Sequence, residues 1–515
     1  MNIAVVSWWT KASIPLKAKS FIRQFLLPLL SFILPVFSRA SDQISFGTEI
    51  NAVYKSILEL RLQDAQGKIN ILKDSDPDNL TLDFLEDYVD FFTVYISEEK
   101  ELFKLLNSRA LQRTSRLEKS ELSSPYLRYM QAEILLHWGL IHIKFGNYFT
   151  AFSKIKTAHK LLKENYNLYP QFVPSLKGLA MLHAITSTIP SEIRWIVKLV
   201  AGMSGTIGQA KFEMEQVLLY GKKNEYLFDD EAKVLYSLLL TYFDNDPHSG
   251  WQWLSHINLD HKQSPLIQYV EANLAFKAGD NDKCIELLSA IPKSASTYPF
   301  FVVDFLLGKA KLRRLDQDAN QYLTSYVHHF KGIHFIKECY QKLAWYSLIN
   351  GNLAGYYQYM ELVKTKGNLV TDEDKQAMHE ALNNKPPDLE LLQSRLLFDG
   401  HYLEKAEQLL LSKKENILSK PNLALEYYYR LGRIQQNQNR LDQAISNYQR
   451  AIAGGKNSSE YQLCASYLYL GEVYEKKNDS KSAIYFYQKC IDTNPKDYGN
   501  GLHQKAKSGL SRIDP

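Results

Sequence analysis

Residues 423–495 read LALEYYYRLGRIQQNQNRLDQAISNYQRAIAGGKNSSEYQLCASYLYLGEVYEKKNDSKSAIYFYQKCIDTNP, and one pattern is written in them twice. The first copy sets Leu431-Gly432, then Ala444, Tyr448 and Ala451. The second sets Leu470-Gly471 and Tyr474, then Ala483, Tyr487, Cys490 and Pro495. In each, a small residue follows the glycine by 12 positions, an aromatic comes 4 later and another small residue 3 after that. A glycine inside a helix costs about 1 kcal/mol against alanine. Placed twice at one phase, it reads as room for a close helix crossing rather than as a break. The alanines let a second helix settle at short distance, and the tyrosines fill the space between successive pairs. Gln438-Asn439-Arg440 and Asn478-Asp479-Ser480 are short polar turns, as an antiparallel helix hairpin needs.

This spelling resembles the tetratricopeptide repeat, a helix pair of about 34 residues. The two glycines lie 39 positions apart, so extra residues sit between the copies, in Gly454-Gly455-Lys456-Asn457-Ser458. The resemblance implies an all-α solenoid that binds rather than catalyses. It also implies a concave surface, lined by the first helix of each pair, that takes extended peptides or partner helices. Carried over by phase from the glycine, that surface falls on Glu426, Tyr429, Arg433 and Gln436 in one copy. In the next it falls on Leu468, Glu472 and Glu475. The lysine and asparagine clamp by which family members hold acidic C-terminal peptides is not spelled here.

Weaker copies of the same hairpin run upstream. Gly139, Ala151 and Ala158 repeat the small-residue spacing around a Gly146-Asn147 turn. Tyr269, Ala272, Cys284 and Leu288 flank Gly279-Asp280-Asn281, and Leu307-Gly308 pairs with Ala319. Further pairs surround Gly351-Asn352 and Gly400-His401. Alternating runs bounded by hairpin turns are absent, which argues against strands. The expectation is one superhelical solenoid in which each unit packs only on its neighbours. Residues 41–124 form an N-terminal helical region, 125–385 the degenerate repeats and 386–515 the C-terminal repeats with a capping helix, Gly501–Ile513. Lys385-Pro386-Pro387-Asp388 is the candidate hinge.

The chain opens differently. Lys11, Lys17, Lys19 and Arg23 precede an apolar run, Phe25 to Phe37, and then Ser38-Arg39-Ala40. A basic start, a short apolar core and small residues at the −3 and −1 positions predict a signal peptide cleaved after Ala40. That implies export to a periplasmic or extracellular space. Retained, the run would anchor the chain at a membrane, though Pro28 and Pro35 interrupt it. Five of the chain's 61 Lys and Arg and none of its 56 Asp and Glu lie in residues 1–40, so 56 of each remain beyond them. A balanced chain offers no net field for nucleic acid, and the expected partner is a protein or peptide. The apolar stretch Leu176 to Met203 carries Lys177, Glu192, Arg194 and Lys198, which predicts a buried helix pair rather than a membrane span.

Catalytic and metal constellations are not spelled out, and no cofactor is expected. Gly202-Met203-Ser204-Gly205-Thr206-Ile207-Gly208 opens a helix but lacks the lysine and hydroxyl residue of a phosphate loop, which makes it a tight turn and only a secondary candidate for an enzyme site. His256 with Asp260 and His261, and His328-His329 with His334, do not have helical zinc-site spacing. Asp244-Asn245-Asp246-Pro247 lacks the glycine and glutamate of a calcium loop. Cys284, Cys339, Cys464 and Cys490 read as small buried residues. Trp251 and Trp253 are the pair that a glycan-binding alternative requires in one patch. Asn79, Asn457 and Asn478 head glycosylation sequons.

Overall fold

The computed structural model describes residues 44, 46–188, 202–456 and 458–513. The leader expected at 1–40, the middle of the 176–203 stretch and Asn457 lie outside the described residues. Every regular element among the described residues is helical. Four N-terminal helices come first: α1 (Thr48–Leu58), α2 (Leu62–Ser75), α3 (Leu80–Ser97) and α4 (Lys100–Lys119). Then follow α5 (Pro125–Lys144), α6 (Tyr148–Leu168), α7 (Ser175–Ser187), α8 (Ile207–Lys223), α9 (Asp229–Tyr242) and α10 (Pro247–Leu254). The chain continues with α11 (Pro265–Lys277), α12 (Asn281–Ala290), α13 (Val302–Arg314), α14 (Ala319–His329), α15 (Ile336–Ile349), α16 (Leu353–Thr365) and α17 (Asp372–Asn383). Last are α18 (Leu389–Asp399), α19 (Leu403–Ser412), the short α20 (Lys414–Leu418), α21 (Ala424–Asn437), α22 (Leu441–Gly454), α23 (Tyr461–Lys476), α24 (Ser480–Asp492) and the terminal α25 (Gly499–Ile513). Among the described residues no helix is long and apolar enough to cross a membrane.

Local chemistry sets these boundaries. Side chains of Asn79, Ser124, Ser264, Asp280, Asn352, Asp388 and Asp479 each accept a backbone N–H in the first turn they cap. First helices end on a left-handed residue that folds the chain back: Gly146 at φ 76°, Gly351 at 75°, His401 at 64°, Asn439 and Asn478 both at 60°. The anticipated hairpins α5–α6, α11–α12, α13–α14, α15–α16, α18–α19, α21–α22 and α23–α24 all form, and together they make the all-α helical-repeat solenoid.

Close approach holds each hairpin. A Cβ on Gly139 would stand 2.9 Å from Ile155 Cγ1, and one on Gly308 2.7 Å from Leu323 Cγ. On Gly432 it would stand 2.7 Å from Tyr448 Cε1, and on Gly471 2.5 Å from Tyr487 Cδ1. Tyr487 has nowhere to swing, because Gly509 of α25 closes on its other side and Glu475 accepts its hydroxyl. Alanine at Gly471 would gain about 1 kcal/mol of helix propensity. Overpacking against a trapped ring costs about 1–3 kcal/mol, so the clash wins.

Two sets of contacts overturn the picture of units that touch only their neighbours. One apolar core runs from Ile50 to Leu274 and joins the N-terminal helices to the repeats that follow. At its centre Lys177, 1% exposed, pairs with Glu133 at 3.0 Å and Glu231 at 2.6 Å. Glu231 also accepts the hydroxyls of Tyr54 at 2.6 Å and Tyr88 at 2.8 Å, so α1, α3, α5, α7 and α9 meet at one ammonium. Farther along, Tyr298 N–H donates to Leu60 O at 2.7 Å, and Ser264 Oγ to Leu58 O at 2.7 Å. The C-terminal half folds back too: Asn281 donates to Tyr402 Oη at 3.0 Å, and His379 of α17 meets Asp497 at 3.4 Å. At the candidate hinge, Asp388 caps α18, and Leu392 and Leu396 share a core with Leu312, Ala344 and Ala377, so apolar packing crosses that segment.

The tightest of the long-range ties is Glu98, left-handed at φ 56° just past α3. Its carboxylate accepts the N–H groups of Ile333 and His334, both at 3.0 Å, together with His334 Nδ1 at 2.7 Å and Lys144 Nζ at 2.8 Å. Burial works to raise this carboxyl, but Lys144 and His334 outweigh it and hold it at about 2. A depressed carboxylate contributes stability above its unfolded value near 4.5 and loses it as the pH falls through 2. The contribution at neutral pH is about 3 kcal/mol. Glu98→Gln is expected to lower the unfolding free energy obtained from urea titration by that amount at pH 7 and by clearly less at pH 3. Equal losses at both pH values would show that the charge does not hold the clasp.

Candidate functional site

The left-handed turn residue gives a register shared by all the later hairpins. Six positions before it stand Lys309 in α13, Trp345 in α15, Arg395 in α18, Arg433 in α21 and Glu472 in α23, counted from Leu315, Gly351, His401, Asn439 and Asn478. Residues 3 or 4 apart share one helix face. Lys342 and Arg430 therefore join this row from one turn earlier, and Phe398 and Gln436 from one turn later.

Cations and rings alternate along the row. Lys342 Nζ lies 3.8 Å above the Trp345 ring, and the Arg395 guanidinium lies 5.0 Å from the same ring. Arg433 bridges the next helices, 3.6 Å over Tyr469 and 5.4 Å from Phe398. Cation–ring contacts of this kind are each worth about 0.5–2 kcal/mol. Trp345 is pinned by Glu380 of α17, which accepts its Nε1–H at 2.8 Å as well as Gln341 Nε2 at 2.6 Å and Tyr356 Oη at 3.2 Å. Charge along the row is unevenly matched. Glu338 serves both Lys309, at 2.8 Å, and Lys342, at 3.7 Å, while Asp399 stands 3.8 Å from Arg395. Among the described residues Arg433 has no carboxylate within ion-pair distance. Burial pushes the Lys342 ammonium down to about 8, opposed by Glu338 and assisted by Lys309 and Arg395. This cation would gain most from an incoming anion.

The predicted partner-binding residues divide into three groups. Arg433, Gln436 and Glu472 come together, with Gln436 Nε2 donating to Glu472 at 3.2 Å. Glu426 and Glu475 are engaged within the fold, Glu426 by Arg430 and Glu475 by a two-pronged Arg512 contact at 2.8 Å. Tyr429 and Leu468 are corrected: they are 8% and 0% exposed and belong to the C-terminal core. Tyr429 packs edge-on to Tyr461 at 6.0 Å and against Tyr469 at 6.3 Å, because its position on α21 faces the next pair rather than solvent. Phase from the glycine missed Lys342, Trp345, Arg395 and Phe398, since α15 and α18 carry no such glycine. The Gly351 and Gly400-His401 turns were legible, and counting back six positions would have found Trp345 and Arg395.

The secondary candidates resolve into structural roles. In the glycine loop, Thr206 already caps α8 by accepting Gln209 N–H at 3.1 Å, and a Cβ on Gly205 would strike His183 at 2.4 Å. Trp251 and Trp253 lie two positions apart on α10, about 200° around the helix. Both are half-buried against the core and do not form one patch. Asp246 caps α10, and Asp244 pairs with Lys211 at 2.6 Å. His334 is spent on Glu98, and His261 pairs with Glu271 at 2.6 Å. Asn79 caps α3 and is 4% exposed, which leaves no room for a glycan. Among the described residues no group of three His, Cys, Asp or Glu side chains could hold a metal.

Residues 423–496 match the tetratricopeptide repeat family. Residues 423–496 carry tetratricopeptide repeats. Two solved structures are similar to the chain at 12% identity, each match covering 92% of this chain and 98% of the other. One is a monomeric mutant of IFIT1 with Gppp-AAAA, at TM-score 0.34, and the other a further mutant of it with m7Gppp-AAAA, at 0.33. No curated protein matches the chain. The cation–ring row lies on the first helices of successive hairpins.

The different environments of Tyr429 and Arg433 separate stability from recognition. Tyr429→Ala is expected to cost about 3 kcal/mol in denaturant unfolding, as truncating a core aromatic does. Arg433→Ala is expected to stay within about 1 kcal/mol. Equal losses would place both residues in the same packing role.

Proposed function

We propose that this tetratricopeptide-repeat chain is a non-catalytic scaffold that holds a protein segment along Lys342, Arg395, Phe398, Arg433 and Tyr469, with Trp345 buried behind them as part of the core. The observation that carries this reading is Arg433, a half-buried guanidinium stacked between two rings, with Glu472 nearby but no carboxylate within ion-pair distance among the described residues. Such a group presents donors to an anion while the rings accept flat apolar side chains. The occupant is an extended segment that alternates carboxylates with aromatic or proline residues. A nucleic acid fits less well, because Glu338, Asp399 and Glu472 are interleaved on the same helices and would repel a continuous phosphate chain.

A fluorescein-labelled peptide of alternating glutamate and phenylalanine, followed by anisotropy, tests the reading. The full chain is expected to bind it and to bind more weakly as salt rises. Arg395→Ala with Arg433→Ala is expected to weaken binding about tenfold or more. Lys489→Ala, on a second helix, is expected to leave it unchanged. No binding, or binding indifferent to the two arginines, removes the row as the site. Single-stranded RNA that binds in place of the peptide moves the reading to nucleic acid.

We infer from Lys11 to Ala40 that the scaffold works outside the cytoplasm, its leader removed after Ala40. Terminal sequencing of the exported protein is expected to begin at Ser41. An intact Met1 in the membrane fraction would identify an anchored form instead.

A further inference from the structure

The last hairpin holds two sulfurs in contact. Cys464 of α23 and Cys490 of α24 are both 0% exposed, and their Sγ atoms are 3.5 Å apart. Cys284 and Cys339 lie in two other, separate cores. The sister repeat is an internal control for what packing requires here. Shifted by the 39 positions between the glycines, Cys464 corresponds to Leu425 and Cys490 to Ala451, and both of those are core residues as well. Leucine and alanine therefore fill the same slot without sulfur, and packing does not account for a second thiol opposite the first.

We propose that Cys464 and Cys490 form a dithiol that a disulfide oxidant closes into an intramolecular bond across the α23–α24 hairpin. A disulfide needs its sulfurs at about 2.05 Å, so the pair must close by about 1.5 Å, within reach of side-chain rotation and a small helix adjustment. The oxidant is a low-molecular-weight disulfide or the disulfide of an oxidoreductase. The Cys464 thiolate attacks one of its sulfurs, forms a mixed disulfide and expels one thiolate. The Cys490 thiolate then attacks the Cys464 sulfur and expels the second. Two protein thiols lose two electrons and two protons, and one disulfide is reduced to two thiols. A hydrogen bond from the Cys490 thiol favours thiolate at Cys464, which suits it to the first attack.

Access is governed by the cap. Cys490 Sγ faces Leu502 O at 3.8 Å, and Leu502 and Ala506 of α25 complete the core around the pair. A terminal helix opens more readily than a central one, so the oxidant enters as α25 lifts or acts before it docks.

The full chain, unfolded and refolded in oxidised glutathione and then alkylated under denaturing conditions, tests the proposal, because refolding removes burial as an obstacle. Two alkyl groups instead of four, with a cross-linked peptide joining 464 to 490, are expected. The oxidised chain is expected to melt at a higher temperature than the reduced one. Cys464→Leu with Cys490→Ala installs the sister repeat's pair; this variant should take two alkyl groups in either buffer and show no shift with oxidant. Four alkyl groups on the oxidised wild type, a bond between any other pair, or the same thermal shift in the variant would overturn the proposal.

Discussion

Everything in this molecule rests on how closely the two helices of a hairpin can approach. Gly139, Gly308, Gly432 and Gly471 each lack the one carbon that would drive into the partner helix, at Ile155, Leu323, Tyr448 and Tyr487. The partner lies 15 or 16 positions on in every case. That constancy is the geometry of one helix, a short turn and a return. Because the crossing is fixed, the left-handed residue at each turn comes at the same phase. First helices then present equivalent positions to one side, and cations and rings from four helices fall into one row.

A stack of such hairpins would bend freely if each touched only its neighbours. Here long-range polar ties restrain it, three of them through charged groups. Lys177 gathers five helices of the N-terminal half at one buried charge. Breaking such a pair leaves an uncompensated ion, which costs far more than the pair contributes, so the arrangement is specified more than it is stabilised. Glu98 closes the N-terminal helices on the loop before α15 across 236 residues. His379 reaches Asp497 from α17, which packs through Ala377 and Ala381 beside the row where Glu380 pins Trp345.

The row gains its chemistry from incomplete matching. Glu338 is shared between two lysines, Asp399 is at the edge of reach from Arg395, and Arg433 is left to its rings. Glu426, by contrast, is satisfied within its own helix by Arg430, and Glu475 by Arg512 from the cap. Charges already paired have little left to offer a partner, which is why the row centres on α15, α18 and α21 rather than on the acidic residues of the last repeats. The same cap that occupies Glu475 also seals the Cys464–Cys490 pair.

The amino-acid sequence by itself determined the class of fold and the hairpins of the C-terminal half, because glycine phase, small-residue spacing and turn composition are local and repeat. It also named Arg433, Gln436 and Glu472, whose contacts reach into the adjacent hairpins. Tyr429 and Leu468 were misplaced because one helix has two faces near a groove, and which of them meets the next hairpin depends on the crossing angle. Only the tertiary structure decided the long-range ties through Lys177, Glu98 and His379, since their partners are set by curvature accumulated over many repeats. It alone brought Lys342 and Trp345 beside Arg395, and Cys464 against Cys490: each of these pairings depends on which face of one helix packs against the next.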